Sequence, residues 1–445
     1  MGTTTRRRVA DQTPRRAIFP VVGVLWIAAM FDGFDLVILG TVLPSMLEDP
    51  EWHLTAGQAT QITTAGLVGM MFGAMTAGWL TDHFGRKWVV IFAVASFSAL
   101  TVPLGFHPSV TVFIVLRFIA GAGLGGCLPI GMALLTEFRG GAKAGSASTT
   151  LMTGYHVGAV LTALLGLWML QDHGWPIMFI IGGVAGLVLV PFMIWLLPES
   201  PQYLMAKGRE DEARRIAALY DLPLSDDFDH GAVEETKDTN SVAALFTPTL
   251  RRNTVAIWGA SFMGLLLVYG LNTWLPQIMR AADYPIGSSI GFLLVLNVGA
   301  VVGLWIAGAV ADRSSPRVVS LIWFTASAVF LALLAVRMPM VALYGAVFIT
   351  GVFVFSSQVM IYAFTAANHP AKVRATAMGF SAGIGRLGAI SGPLLAGTLA
   401  ATGHAYPWGF FGFAAVGALG AVIFSTSHTL RNSSRPVAQQ EPVAV

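Results

Sequence analysis

The sequence predicts an all-α polytopic membrane protein with twelve transmembrane helices in two six-helix halves. The chain has 445 residues, of which 55% are hydrophobic and only 11% are charged, whereas roughly 25% of the residues in a soluble protein are charged. Twelve apolar stretches are each long enough to cross a bilayer, which takes about 20 helical residues. This composition excludes a disordered or nucleic-acid-binding chain. The single cysteine, Cys127, excludes an intrachain disulfide and a cysteine-based metal centre.

The predicted spans follow one another in two groups of six. The first group lies near residues 19–46, 58–80, 88–106, 109–136, 146–170 and 175–197. The second lies near residues 254–279, 287–310, 318–336, 339–366, 375–401 and 406–427. The first span is too long for the core of a signal peptide, and no small-residue cleavage site follows it. We therefore expect it to be retained as a membrane helix.

Positive charge sets the predicted orientation, because short loops rich in Lys and Arg stay on the cytoplasmic side. With the spans in this order, 22 of the 26 Lys and Arg residues lie on one side. The opposite side carries only Arg280 and Arg337, and Arg117 and Arg386 lie inside spans. Both termini are therefore predicted to be cytoplasmic. The expected parts are an N-terminal tail at 1–18, six-helix halves at 19–198 and 254–428, a cytoplasmic central loop at 199–253 and a cytoplasmic C-terminal tail at 429–445.

A short motif occurs at the matching point of both halves. Span two is followed by GWLTDHFGRK at 78–87, and span eight ends in GAVADR at 308–313. Substrate sites of transporters built from repeats lie between the repeats, and these loops are candidates for a cytoplasmic gate. The alternative for the first loop is a topology determinant and stable turn, and for Glu137 a solvated helix end. The candidate gate residues are Gly78, Asp82, Gly85, Arg86, Lys87, Glu137, Asp312 and Arg313.

Charged residues inside predicted spans are the main functional candidates, since a charge at the centre of a membrane helix costs roughly 2.5–3.5 kcal/mol on insertion scales. Asp32 and Asp35 are three residues apart in span one, so they project from one face of the helix. Burial and mutual repulsion favour a proton on at least one of them. We interpret the pair as the proton-coupling residues. The alternative is a permanent hydrogen bond from one aspartate to a neighbouring helix.

Two buried arginines are candidates for binding an anionic substrate, because a guanidinium can hold a carboxylate through two hydrogen bonds. For Arg117 in span four, the alternative is an ion pair with Asp32 or Asp35. For Arg386 in span eleven, it is a pairing with Asp82 or with a helix C-terminus. Other polar and aromatic residues are candidates for lining the cavity or, alternatively, for packing or facing lipid. These are His156, Asn272, Trp274, Gln358 and Tyr362.

These motifs resemble those of the major facilitator superfamily and, within it, of the aromatic acid:proton symporters. The first resemblance covers nearly the whole chain and rests on the loop at 78–87, the twelve spans and the central loop. The second rests on FDGFD at 31–35, RFIAGAGLGG at 117–126, Glu137, NTWLP at 272–276 and GRLGAI at 385–390. The resemblance implies the major facilitator fold. It also implies that Asp32, Asp35, Arg117 and Arg386 are needed for transport.

The resemblance further implies a bacterial inner-membrane symporter that imports a monocyclic aromatic carboxylate, such as benzoate or a hydroxybenzoate, by alternating access. Its expected partners are that carboxylate, protons and the lipid bilayer, without nucleic acid, and we expect a functional monomer. No cofactor or metal site is indicated, and we do not expect an enzyme. The alternatives are proton symport of a non-aromatic organic acid and a membrane sensor that binds an aromatic acid without moving it.

Overall fold

The computed structural model describes residues 17–138, 144–222, 241–311, 314–369 and 371–429, and the regular structure in these residues is helical. The first half consists of α1 (Phe19–Glu48), α2 (Ala56–Phe84), α3 (Arg86–Thr101) with a following 3₁₀ turn (Val102–Phe106), α4 (Val110–Phe138), α5 (Ala144–His173) and α6 (Pro176–Leu196). Three short helices follow, α7 (Pro201–Ala206), α8 (Glu210–Tyr220) and α9 (Ser241–Leu245). The second half consists of α10 (Arg251–Ala281), α11 (Ile286–Ala311), α12 (Pro316–Leu334), α13 (Met340–Asn368), α14 (Ala371–Ala401) and α15 (Trp408–Ser425).

Twelve of these helices are long and apolar enough to cross a membrane, which confirms the predicted number of spans. Several helices extend beyond their apolar part because polar residues continue or cap them. Helix α2 begins two residues earlier than predicted, since the Thr55 side chain accepts the backbone N–H of Gln58 and the Gln58 side chain accepts that of Thr55. This reciprocal capping satisfies two backbone donors that a helix start otherwise leaves unpaired.

The two halves repeat the same pattern of helix packing. In the first half α1 packs on α5, α2 on α4 and α3 on α6, and in the second half α10 packs on α14, α11 on α13 and α12 on α15. Glycines allow the closest approaches, as expected between membrane helices. A β carbon on Gly121 would lie 2.1 Å from the backbone oxygen of Gly66, and one on Gly351 would lie 2.1 Å from that of Leu296.

The halves meet closely toward one end of the bundle, through α1 with α10, α2 with α14 and α5 with α11. A β carbon on Gly40 would lie 1.9 Å from the backbone oxygen of Asn272. Eight residues further along each of these two helices, Arg280 Nε donates to Glu48 Oε1 at 2.6 Å. The halves are therefore closed against each other at the end where α1 and α10 finish. We call this the closed end.

At the other end, the facing helices of the two halves are apart. Residues 78–84 of the predicted loop at 78–87 are here the last turns of α2, and Gly85 alone separates α2 from α3. Thr60 of α2 touches α14, because a β carbon on Gly397 would lie 1.9 Å from Thr60 Oγ1. Five helical turns away, on the same faces, β carbons on Gly78 of α2 and Gly379 of α14 would meet nothing within 4 Å. Helices α2 and α14 thus diverge from the closed end toward the loop end. We call the latter the open end.

Candidate substrate and proton site

A buried ion pair joins α1 to α4. Arg117 Nη1 donates to Asp35 Oδ2 at 2.9 Å, and Arg117 Nη2 lies 3.5 Å from the backbone oxygen of Asp35. Thr101, at the end of α3, donates its hydroxyl to Asp35 Oδ1 at 2.9 Å. Of the partners considered for Arg117, the structure therefore has Asp35 and not Asp32. Both charges are buried, and both oxygens of the Asp35 carboxylate have donors.

This ion pair borders a cavity between the two halves. The polar residues that line it are Asp35, Thr63, Arg117, Tyr269 and Thr273, and the remaining walls come from leucine, methionine and glycine. Helices α1, α2 and α4 contribute from the first half, and α10 from the second. The cavity has a volume of about 20 Å³, room for about one water molecule, so a larger ligand would require its walls to move apart.

Asp32 has a different environment from Asp35, although both lie on the same side of α1. Asp32 is fully buried, and its carboxylate oxygens have no N–H or O–H donor among the described residues. Its electrostatic neighbours are Arg386 and Asp35, and the Cys127 thiol lies beside it. A buried carboxylate without donors is costly in its charged form. Asp32 is thus the less firmly held of the two aspartates.

Arg386 faces the first half from α14. Its Nη1 donates to the Tyr269 hydroxyl at 3.2 Å, and Tyr362, Asp32 and Tyr155 are its other electrostatic neighbours. No pairing of Arg386 with Asp82 occurs among the described residues. Arg386 is half-buried, and Tyr269 connects it to the cavity that Arg117 lines. Arg117 thus lines the cavity itself and is held by Asp35, whereas Arg386 lies behind Tyr269 and near Asp32.

The other predicted lining residues lie in the interior rather than toward lipid. Asn272, Trp274 and Gln358 are buried, and Tyr362 is half-buried. His156 of α5 is also buried, and its ring meets Phe355 of α13 edge-on with centroids 5.7 Å apart. His156 therefore packs across the boundary between the halves. The alternative that these residues face lipid is wrong for the buried ones.

The loop at 78–87 is held by residues that follow α6. Arg86 pairs with Glu137 at the end of α4, and the Ser200 hydroxyl donates to Glu137 at 2.5 Å. Glu199 accepts the backbone N–H groups of Lys87 at 3.0 Å and of Ser200 at 2.8 Å. Glu137 is therefore not a solvated helix end, since its side chain is only 7% exposed.

Gly85 is packed against its neighbours, whereas Gly78 and Asp82 are exposed. Gly85 has a φ of +89°, and a β carbon there would lie 2.3 Å from Glu199 Oε2. Gly85 is thus required both for the turn and for the approach of Glu199. Gly78 and Asp82 are exposed at the same open end. Asp82 has Arg86 as an electrostatic neighbour. Asp312 and Arg313 lie outside the described residues.

Several residues of these sites were not predicted from the sequence. Tyr269 and Thr273 of the cavity are neutral residues in an apolar span, and nothing in their spacing marks them. Thr101 ends a helix far from Asp35 in the chain. Glu199 and Ser200 did leave a signal, since a serine followed by proline is typical of a helix start, and Ser200 caps α7.

The family follows from comparison with known proteins. The sequence pattern of the Major Facilitator Superfamily matches residues 25–380 and 287–443. The chain belongs to this superfamily. A benzoate transport protein of Acinetobacter baylyi is 35% identical over 379 residues, covering 83% of this chain and 81% of that protein. A gallate transporter of Pseudomonas putida is 32% identical over 404 residues, covering 89% of each.

Solved structures agree on the fold. The xylose transporter XylE from E. coli, in a partially occluded inward-open conformation, superimposes with a TM-score of 0.71 over 92% of this chain and 97% of that one, at 14% identity. A bacterial homologue of the human lysosomal transporter Spinster, inward-facing, also gives a TM-score of 0.71, at 17% identity. The predicted major facilitator fold is confirmed. The protein is therefore a multi-pass membrane transporter and not an enzyme.

We predict that Asp35→Asn and Arg117→Gln each lower the free energy of unfolding by about 3–5 kcal/mol, because each leaves the other charge buried and unpaired. The double substitution Asp35→Asn/Arg117→Gln should recover most of this loss, since no unpaired charge remains. Unfolding of the purified protein by SDS in mixed micelles measures the three values. Thr101→Val is the matched control, with a loss of about 1 kcal/mol. A double variant no more stable than either single one would contradict the pairing.

Proposed function

We propose that this protein imports a monocyclic aromatic carboxylate, benzoate-like or hydroxybenzoate-like, together with protons. The observation that carries the proposal is Arg386, a half-buried cation whose hydrogen bond goes to the neutral hydroxyl of Tyr269, a residue that lines the cavity. Such a cation suits a small organic anion. The relatives named for benzoate and gallate support an aromatic one, as does a gentisate transporter of Corynebacterium glutamicum that is 31% identical over 92% of this chain.

The two arginines have different roles in this proposal. Arg117 already has a carboxylate partner, because Asp35 accepts its hydrogen bond at 2.9 Å. It therefore shapes and polarises the cavity, and Asp35 stays charged as its partner. Arg386 has no hydrogen-bonded carboxylate among the described residues, so the substrate carboxylate binds there. Tyr269, which lines the cavity and bonds Arg386, offers the substrate ring an aromatic neighbour.

Proton coupling follows from competition for Arg386. Asp32 is the carboxylate that faces Arg386 electrostatically. When Asp32 is charged, it neutralises the guanidinium, and a second anion beside it is disfavoured. When Asp32 takes a proton, Arg386 needs another counter-ion, and the substrate carboxylate provides it. Proton and substrate thus bind together and leave together, which is the requirement for symport. Asp32, rather than Asp35, carries the proton.

Orientation is proposed from the distribution of Lys and Arg, which favours cytoplasmic segments at 1–18, 199–253 and 429–445 in a bacterial inner membrane. The open end of the described structure then faces the cytoplasm, and the closed end faces the periplasm. The cavity and both arginines belong to one chain, so a monomer suffices for transport.

Alternating access would exchange the open and closed ends. Opening the periplasmic end must separate Gly40 from Asn272 and break the ion pair between Glu48 and Arg280. Closing the cytoplasmic end must bring α2 and α14 together, with the loop at 78–87 between the halves. The exposed Asp82 is free to make that contact, while Arg86, Lys87 and Glu137 hold the loop in shape. Gly78, Asp312 and Arg313 complete the proposed gate.

The first test of the proposed function concerns the transported compound. Cells that carry the protein in the membrane should accumulate labelled benzoate or a hydroxybenzoate, and a protonophore should abolish accumulation above the external concentration. Aliphatic acids are the matched competitors, and we expect them not to reduce uptake. Competition by aliphatic acids without accumulation of any benzoate would point to a non-aromatic organic acid. Binding of an aromatic acid without accumulation would support a sensor instead.

The second prediction concerns Asp32. Asp32→Asn mimics the protonated residue, so substrate exchange should persist while proton-driven accumulation is lost. In proteoliposomes with a gradient of one pH unit, each coupled proton can support about tenfold accumulation, and the variant should reach only the external concentration. Counterflow of labelled substrate should remain within about threefold of the unchanged protein. Asp283→Asn, at an exposed aspartate near the closed end, is the control. Intact uphill accumulation in Asp32→Asn would refute the assignment.

The third prediction concerns alternating access. A β carbon on Gly40 would clash with the backbone of Asn272, so Gly40→Ala should hold the closed end apart, at a cost of about 1–3 kcal/mol. Cysteines in place of Glu48 and Arg280 can be cross-linked by a bifunctional thiol reagent only when the closed end is closed. The native Cys127 is buried, so it should not compete for the reagent. We expect Gly40→Ala to reduce cross-linking about tenfold. Gly23→Ala, on the same helix with nothing within 4 Å, should leave cross-linking unchanged. Equal cross-linking in both variants would contradict the proposal.

A further inference from the structure

An asparagine pair lies buried between α10 and α11. Asn297 Nδ2 donates to Asn272 Oδ1 at 3.1 Å and to the backbone oxygen of Leu293 at 3.0 Å. The two side chains are 0% and 1% exposed, respectively. The remaining polar atoms, Asn272 Nδ2 and Asn297 Oδ1, have no hydrogen-bond partner among the described residues. The pair therefore presents one free donor and one free acceptor inside the protein.

These free atoms are unusual, because buried polar groups in proteins nearly always have partners. One adjacent donor and one adjacent acceptor match a hydroxyl group, which can accept from the first and donate to the second. They match a carboxylate less well, since a carboxylate only accepts. The chemistry of the pair thus selects a neutral hydroxyl rather than the charged end of an organic acid.

The pair lies behind the wall of the cavity, next in the chain to residues that line it, and near the boundary between the halves. Asn272 is adjacent to Thr273 and one helical turn from Tyr269, which both line the cavity. Its backbone is the contact point of Gly40. On α11, Ile290 lies two turns before Asn297 and therefore on the same face, and it faces Gly166 of the first half. The pair therefore lies on parts of α10 and α11 that contact the first half.

The position of the pair relative to Arg386 completes the argument. Tyr269 holds Arg386 at 3.2 Å, and Asn272 follows Tyr269 by three residues toward the closed end. A substrate that bound Arg386 through its carboxylate could extend its ring along α10, from Tyr269 toward the asparagine pair. A hydroxyl at ring position 3 or 4 could reach that side, whereas one at position 2 stays beside the carboxylate.

We propose that Asn272 and Asn297 bind a ring hydroxyl, so that the transporter selects aromatic acids hydroxylated away from the carboxylate. This inference rests on the proposed function and deepens it. A purely structural role is the competing explanation, in which the pair joins α10 to α11. That role predicts equal effects on every substrate. A hydroxyl site predicts effects that depend on the position of the hydroxyl group.

The experiment compares uptake of 4-hydroxybenzoate, 3-hydroxybenzoate, 2-hydroxybenzoate and benzoate in proteoliposomes. Asn297→Leu should raise the KM for the 4- or the 3-hydroxy acid about tenfold. The KM values for benzoate and 2-hydroxybenzoate should change by less than about twofold. Should Asn297→Leu fail to reach the membrane, Asn297→Ser replaces it, with a smaller rise expected for the same acids.

Asn253→Leu is the matched control. Asn253 is also a buried asparagine of α10, but it does not line the cavity, and its side chain bonds the backbone of His428. Any loss in this variant should be the same for all four acids. If Asn297→Leu also changed all four KM values by one factor, or changed none, the hydroxyl site would be refuted. If the unchanged protein transported none of the four, the proposed function itself would have failed.

Discussion

The charge of Arg386 is the constraint on which the arrangement between the halves depends. A guanidinium stays protonated at any physiological pH, so a negative partner must always be available to it inside the membrane. In the described structure its hydrogen bond goes to Tyr269, which is neutral, and the nearby Asp32 has no N–H or O–H donor among the described residues. Neither contact is a fully formed ion pair. A site whose counter-ion is incomplete is suited to accepting one from a substrate, provided that Asp32 can lose its own charge.

The surroundings of Arg117 contrast with those of Arg386. Asp35 and Thr101 complete the surroundings of Arg117 within the first half, so that charge needs nothing from solution. Breaking this pair would leave a buried charge alone, which is strongly unfavourable. The first half therefore has a self-contained ion pair, and under the proposed function the second half provides the exchangeable charge. Such a division lets one half move against the other without separating a stable ion pair.

The fold was predictable from the sequence because the membrane imposes it through composition. Apolar length and charge predict the number of spans, the two halves and the matched motifs. The predicted helix ends differ by a few residues where caps such as Thr55–Gln58, and not hydropathy, decide where a helix begins. The partners inside the site were less predictable. Spacing placed Asp32 and Asp35 on one face, but only packing decides that Asp35 meets Arg117. Tyr269 and Asn297 carry no local pattern, since their contacts come from helices distant in the sequence.

The same geometry links recognition to movement. Asn272 contributes its side chain to the asparagine pair and its backbone to the contact with Gly40. A group bound between Asn272 and Asn297 would therefore sit directly beside the surface on which the halves close. Binding there would change the contacts of the closed end, and proton uptake by Asp32 would change the charge near Arg386, whose partner Tyr269 lies one turn of α10 before Asn272. Since a ligand shifts a conformational equilibrium only by binding its two states differently, a substrate that spans both points can couple its own recognition to the movement of the halves.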